Sequence, residues 1–150
     1  MNEHKGDLFE KIFEPYHQVA ISTNGTIKRD GQGVMGRGCA RDAVLMYPEF
    51  PRVLGNYLRD KGNIPGYVTV GDGSGGGKRF LILPVKHNWW ERASLELVTL
   101  SRNFLRDEAI AHPEVTFHVP RLGCGNGRLS WPSEVEPEMR FLPQNVVVHH

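Results

Sequence analysis

Apolar and polar positions fall into two rhythms along this chain. Val19-Ala-Ile21 leads into Ser22-Thr-Asn24 and predicts a strand over Gln18 to Asn24. Tyr67 to Val70 and Val115 to Val119 alternate with a period of two, as half-buried strands do. Phe80-Leu-Ile-Leu83 is a continuous apolar run, the pattern of a strand covered on both faces. Asn145 to His149, with three valines, reads as a buried terminal strand. Helical spacing occupies the intervals. A helix is expected from about Gly36, and most clearly from Cys39, to Met46; Pro48 and Pro51 break it. A second follows from Arg52 to Asp60 and stops at Lys61-Gly62. Glu91 to Asp107 is the clearest helix, with Ala93, Leu97, Leu100 and Phe104 as its apolar stripe. Asp7 is placed to cap a short helix through Leu8, Ile12 and Phe13, and Pro132 to Met139 reads as another short helix. Strands alternating with helices predict an α/β domain of three layers over residues 1–150.

Two connections in this pattern are rich in glycine. The first, Gly31-Gln-Gly-Val-Met-Gly-Arg-Gly-Cys-Ala40, joins the Val19–Asn24 strand to a helix. The second, Val119-Pro-Arg-Leu-Gly-Cys-Gly-Asn-Gly-Arg-Leu-Ser-Trp131, follows the Val115–Val119 strand. A strand, a glycine loop and a helix start together aim backbone N–H groups at an anion such as phosphate. Each loop alone is also compatible with an ordinary tight connection; two of them in one small domain suggest a grip on a diphosphate from both sides. A third glycine cluster, Gly71 to Lys78, lacks the spacing of a P-loop: Asp72 stands where its first glycine is required, and Arg79 follows the lysine. It is expected to be a hairpin loop.

Four pieces, in order, resemble the macro domain family. Gly6-Asp7-Leu8-Phe9 resembles its N-terminal signature. Ser22-Thr-Asn24 with Gly33-Val-Met-Gly-Arg-Gly-Cys-Ala40 resembles its first phosphate loop. Leu83-Pro-Val-Lys-His-Asn-Trp89 and Pro120-Arg-Leu-Gly-Cys-Gly-Asn-Gly-Arg-Leu-Ser-Trp131 resemble the lysine segment and second phosphate loop of a lysine-dependent branch, that of DarG-type antitoxin domains and terminal ADP-ribose protein glycohydrolases. The resemblance implies a three-layer α/β/α domain with a mixed central sheet and a cleft for ADP-ribose at the strand ends; with five residues before Gly6, the family's longer first strand is expected to be short or absent. It implies ligand contacts from Asp7 at the adenine, from the adjoining Leu8, from Asn24 at the distal ribose, from Val34, Met35, Gly36, Gly38, Cys39 and Ala40 in the first loop, and from Gly123, Cys124, Gly125, Asn126 and Gly127 in the second. It implies Lys86 as the catalytic group, acting at the distal ribose as nucleophile, base or fixed cation. Read without the family, Lys86 is a solvated lysine just past a strand end. The sequence departs from the glycohydrolase pattern at Gly127, where that enzyme carries an aspartate.

Composition adds limits. The net charge is +1, so no global field draws the chain to a polyanion or a membrane, although arginine outnumbers lysine 12 to 6. The two cysteines, Cys39 and Cys124, both lie in glycine loops, which argues against a disulfide framework and for a reducing, cytoplasmic setting. Neither a signal peptide nor a membrane span is legible. The seven histidines show no metal-ligand spacing, so neither metal nor cofactor is expected. His87, beside Lys86, is a candidate proton donor, and His118, mid-strand, reads as a satisfied core or surface imidazole. Trp89 and Trp90 offer stacking surfaces for adenine or a nucleobase, or else pack one in the core and one at a rim. The expected function is removal of ADP-ribose from a modified partner, DNA first and protein second. A non-catalytic ADP-ribose reader and an ADP-ribose 1″-phosphatase are the alternatives.

Overall fold

The computed structural model describes residues Met1–His150. Six strands form one sheet: β1 (Asn2–His4), β2 (His17–Asn24), β3 (Gly66–Gly71), β4 (Gly77–Lys86), β5 (Thr116–Pro120) and β6 (Val146–His149), in the order β1-β6-β5-β2-β4-β3. All neighbours are parallel except β3 and β4, an antiparallel hairpin whose tip is the third glycine cluster. The sheet is therefore mixed. The four helices are α1 (Cys39–Met46), α2 (Phe50–Lys61), α3 (Leu95–Ala111) and α4 (Glu136–Met139), the last preceded by a wide turn over Trp131–Val135.

The apolar runs sort the helices onto two faces. Val19, Ile21, Phe80 and Ile82 point to one side and pack against Phe50, Leu54 and Leu58 of α2, Ala43 of α1 and the segment Leu8, Phe9, Ile12. Ala20, Leu81, Leu83, Phe117, Val119, Val146 and Val148 contribute to a second core with Val98, Leu105 and Ala109 of α3 and with Val135 and Met139. Two cores, one on each face, make the three-layer α/β/α arrangement, and they explain why β4 reads as unbroken hydrophobicity.

Several boundaries differ from the expectation, each for a local reason. The helix expected from Gly36 starts at Cys39, because Gly38 has φ +70° and interrupts it. Pro51 does not break a helix; it occupies the first turn of α2, where a missing N–H costs nothing. The clearest helix begins not at Glu91 but after Ser94, whose side chain accepts from Leu97 N–H at 3.3 Å, and it runs on to Ala111. Its buried face is Leu97, Val98, Ser101, Leu105 and Ala109, whereas Leu100 is exposed. The polar Ser101 concealed this face; its hydroxyl donates to Pro84 O at 2.7 Å. Asp7 accepts from Phe9 N–H at 2.9 Å, but it closes a turn and no helix follows. β4 extends beyond Phe80–Leu83 in both directions, through Pro84, so that Lys86 is its last residue and pairs with Asn24 of β2.

Candidate functional site

Because β4, β2 and β5 are parallel neighbours, their carboxyl ends emerge on the same edge of the sheet, the usual place for a ligand crevice in such folds. A cavity of about 650 Å³ opens there, within the size range of small-molecule sites. Asn24 ends β2, Lys86 ends β4 and Pro120 ends β5, and each strand end lines the cavity.

The first glycine loop is held rigidly. Buried Asn24 donates from Nδ2 to Val34 O at 2.9 Å and accepts from Thr26 N–H at 3.0 Å, so its amide closes the turn and anchors the loop. Gly33 N–H donates to Pro51 O at 2.7 Å, fastening the loop to α2. At its end α1 begins without a side-chain cap, and Gly38, Cys39 and Ala40 line the cavity. The first-turn amides of α1 are thus left for an anion.

The second loop tightens into a turn over Gly125–Gly127. Leu129 N–H donates to Gly123 O at 3.0 Å and Arg128 N–H to Gly125 O at 2.9 Å, with Gly123 and Gly125 both at φ +73°. No atom lies within 4 Å of where a Cβ on Gly125 would stand, so its backbone faces open cavity. Gly127 is different: it is buried, and a Cβ there would meet the Ala93 methyl at 2.8 Å. An aspartate at this position would have to displace the Ala93 methyl.

Lys86 lies half-buried at the cavity wall. Its Nζ donates to Trp89 O at 3.2 Å. Burial, and then the neighbouring Arg128 guanidinium, lower its pKa from the ordinary lysine value. The lining holds four cationic side chains, Arg37, Lys86, Arg121 and Arg128, against one carboxylate, Glu91. Asn88 Nδ2 donates to Glu91 at 2.6 Å. Both cysteines are poor nucleophiles: burial pushes the Cys124 thiol up to about 11 and raises that of Cys39, which contacts Ser22 Oγ at 3.6 Å.

Of the residues singled out from sequence, Asn24, Val34, Gly36, Gly38, Cys39, Ala40, Lys86, Gly123, Cys124, Gly125, Asn126 and Gly127 come together around this cavity, as do Trp89 and Trp90. Asp7, Leu8 and Met35 are not among its lining. Asp7 is exposed, Leu8 is buried in the core on the α1/α2 face, and Met35 packs against that core. His87 is exposed and outside the lining, and its backbone carbonyl accepts from Gly25 N–H at 3.1 Å. The sequence reading missed Arg37, Glu91, Arg121 and Arg128. The signal available for Arg37, Arg121 and Arg128 was their position inside the glycine loops; Glu91 carried none, since it sits where a helix was expected to start.

A mixed six-stranded sheet between two helical layers, with two glycine loops facing each other across its strand ends, is the macrodomain architecture, and the chain has that fold. No protein-family model matches the sequence, and neither does any curated protein. Among solved structures it is similar to the macrodomain of Mycobacterium tuberculosis DarG, with 24% identity over 99% of this chain and 95% of that one and a TM-score of 0.71. It is similar to the macrodomain of Thermus aquaticus DarG, at 22% identity over 99% and 95% of the two chains, TM-score 0.69. It also resembles Thermosipho africanus DarTG, solved in complex with ADP-ribose, at 21% identity and TM-score 0.71; there it covers 99% of its own length but 41% of the longer protein. No helix is long and apolar enough to cross a membrane.

Proposed function

We propose that the chain is an ADP-ribosyl hydrolase that holds ADP-ribose in this cleft and cleaves the link between C1″ and a modified DNA base. The observation that carries the reading is the convergence of Lys86 with both glycine loops on one cation-lined cavity. Two phosphates suit two sets of backbone N–H groups, those of the first turn of α1 and those of the Gly125–Gly127 turn, with Arg37 and Arg128 nearby. The likeness to the ADP-ribose-bound Thermosipho africanus protein supports the ligand, and the resemblance of the Lys86 segment to the lysine-dependent branch supports the reaction.

In this reading the neutral Lys86 amine adds to C1″ as the bond from C1″ to the base breaks. The departing base takes the proton that the newly bonded Lys86 nitrogen gives up; water then bonds to C1″ as the C1″–nitrogen bond breaks, and the amine regains a proton as ADP-ribose leaves. A lowered pKa increases the neutral fraction that the first step needs. Glu91, the one carboxylate of the cleft, is the group available to take a proton from that water. A second reading, an ADP-ribose reader without turnover, is favoured by Gly127, which leaves the glycohydrolase carboxylate missing and packs its backbone against Ala93.

Calorimetry and single-turnover assays separate these. ADP-ribose is expected to bind with a micromolar Kd, about 8 kcal/mol. Gly125→Glu, which sets an anion against the diphosphate, is expected to abolish that binding. ADP-ribosylated DNA is expected to be cleaved, and aspartyl or glutamyl ADP-ribose esters weakly or not at all. Lys86→Ala is expected to keep ADP-ribose affinity within a few fold and to lose about 100-fold or more in rate. Lys86→Arg should fail too, because a guanidinium stays protonated. Full activity in Lys86→Ala would end the lysine mechanism. Binding without cleavage by the wild type would establish the reader, and release of phosphate from ADP-ribose 1″-phosphate would establish the phosphatase.

A further inference from the structure

Two of the three tryptophans stand at the mouth of the cleft with their side chains in solvent: Trp89 is 54% and Trp90 60% exposed, whereas Trp131 is buried. An exposed pair of indoles is an unusual use of the largest apolar side chains. Their segment is tied down on several sides. Trp89 N–H donates to Thr26 Oγ1 at 3.0 Å, Lys86 Nζ reaches Trp89 O, Ala93 N–H donates to Gly127 O at 2.9 Å, and Ser94 N–H donates to Val85 O at 2.8 Å. The two rings meet edge to face, with centroids 5.9 Å apart and planes at 86°. That contact covers part of one indole face and leaves ring surface on both free. The platform is set before any ligand arrives, which lowers the ordering cost of stacking.

We infer that Trp89 and Trp90 form a nucleobase-stacking subsite for single-stranded nucleic acid, taking a base next to the one that carries ADP-ribose. The inference rests on the proposed function, under which Lys86 marks the C1″ end of the ligand. Its Nζ bonds the Trp89 backbone carbonyl and both tryptophans line the same cavity, which puts the indoles near that end, where the modified strand has to leave the cleft. Charge supports the choice of partner. Arg37, Lys86 and Arg128 line the same cavity as the indoles, and Glu91 is the only anion among them. Aromatic faces beside cations fit bases and phosphates along one strand. A duplex does not fit the same way, because both faces of an internal base are already stacked.

The test needs no turnover. Intrinsic tryptophan fluorescence and anisotropy of a labelled strand are measured with unmodified ten-residue oligothymidylate, its duplex with oligoadenylate, and oligouridylate. ADP-ribose binding is measured in parallel by calorimetry. Wild type is expected to bind the single strands with quenching, to bind them more tightly than the duplex, and to weaken as salt rises. The Trp89→Ala/Trp90→Ala variant should lose about tenfold or more in strand affinity, the scale of one lost stacked base. It should keep its circular dichroism spectrum and its ADP-ribose affinity, and Trp89→Phe/Trp90→Phe should recover part of the strand binding. Equal affinity for oligothymidylate and oligouridylate assigns the subsite to both nucleic acids; a preference assigns it to one. Unchanged strand binding in the alanine variant, or duplex bound as well as single strand, overturns the inference. So does loss of ADP-ribose affinity in that variant, which would make the indoles part of the ADP-ribose pocket. Tryptophan-dependent strand binding in a protein that does not bind ADP-ribose would sink the proposed function and leave the subsite standing.

Discussion

At residue 127 an aspartate would crowd Ala93. The carbonyl of Gly127 accepts from Ala93 N–H at 2.9 Å, and a Cβ on Gly127 would stand 2.8 Å from the Ala93 methyl. Gly127→Asp is therefore expected to lower stability by about 1–3 kcal/mol, the cost of overpacking, without creating activity on acidic-residue esters. Urea unfolding and an ester substrate check both parts, and a stable variant that gains ester cleavage would refute the packing argument. Under the proposed function the chemistry then falls to Lys86. Burial and Arg128 hold its pKa below the ordinary lysine value, so under the proposed mechanism the single-turnover rate should rise with pH through an apparent pKa lower than that of free lysine. Removing one of the two causes, with Arg128→Ala, should move that pKa upward and slow the reaction near neutrality. A pH profile that does not move would separate Arg128 from the lysine. The sequence showed Gly127 and Lys86 plainly. It did not show that Ala93, thirty-four residues away from Gly127, closes the space around it, because that contact is made only when the Trp89–Ser94 segment folds onto the second loop.

At the scale of elements, the site depends on how α2 carries the first glycine loop. Gly55 in α2 faces that loop so closely that a Cβ would run into the Gly31 carbonyl oxygen, and a Cβ on Gly33 would crowd the Leu54 side chain. Gly55→Ala gains helix propensity, worth up to about 1 kcal/mol in isolation. The clash with a backbone carbonyl is expected to outweigh it, lowering the melting temperature and weakening ADP-ribose together. A variant that is more stable and binds as well as the parent would show that the loop is not seated on α2. Elements with a simple periodicity were legible: β2, α1, the core of β4, and the β3–β4 hairpin that the glycine-rich Gly71–Lys78 stretch suggested. Misread elements had a polar residue on a buried face, or a proline that the fold accommodates. Ser101 faces Pro84 in the core of the α3 side, and Pro84 itself lies inside β4, so the pattern placed Lys86 past the strand rather than on its last position. The strand order was not legible at all. β6, the last strand, sits between β1 and β5, a placement set by pairing partners far apart in sequence.

Across the whole molecule that strand order assembles a row of imidazoles. His17 on β2 hydrogen-bonds His118 on β5 at 2.8 Å, and His118 hydrogen-bonds His149 on β6 at 2.8 Å. His4 on β1 meets the His149 ring edge-on, with centroids 5.3 Å apart. Glu14 lies 3.7 Å from His17 and Glu10 lies 3.9 Å from His4 at the two ends, while Lys11 and His150 add further positive charge near the row. His118 and His149 are buried in this chain. Desolvation first, and then the neighbouring imidazoles and Lys11, push the His118 pKa down to about 4; burial followed by His4 lowers that of His149. A histidine whose folded pKa is depressed holds its neutral form in the native state while the unfolded chain takes up a proton. Its stability contribution is thus complete above the unfolded value near pH 6.5 and is lost as pH falls from there toward about 4. For His118 the slope approaches about 1.4 kcal/mol per pH unit at its steepest, midway between those two values. Urea unfolding at pH 7.5, 6.5, 5.5 and 5.0 should therefore show stability falling before the ordinary carboxylates titrate. His118→Gln keeps a hydrogen-bonding side chain but does not titrate, and it should flatten the decline between pH 6.5 and 5.0 even if it is less stable at pH 7.5. A decline of the same steepness in that variant would place the acid sensitivity elsewhere. The row links β1, β6, β5 and β2 beneath the turn that follows Asp7, so mild acid should loosen this edge of the sheet first, with amide exchange rising at Asn2–His4 before it rises in β4.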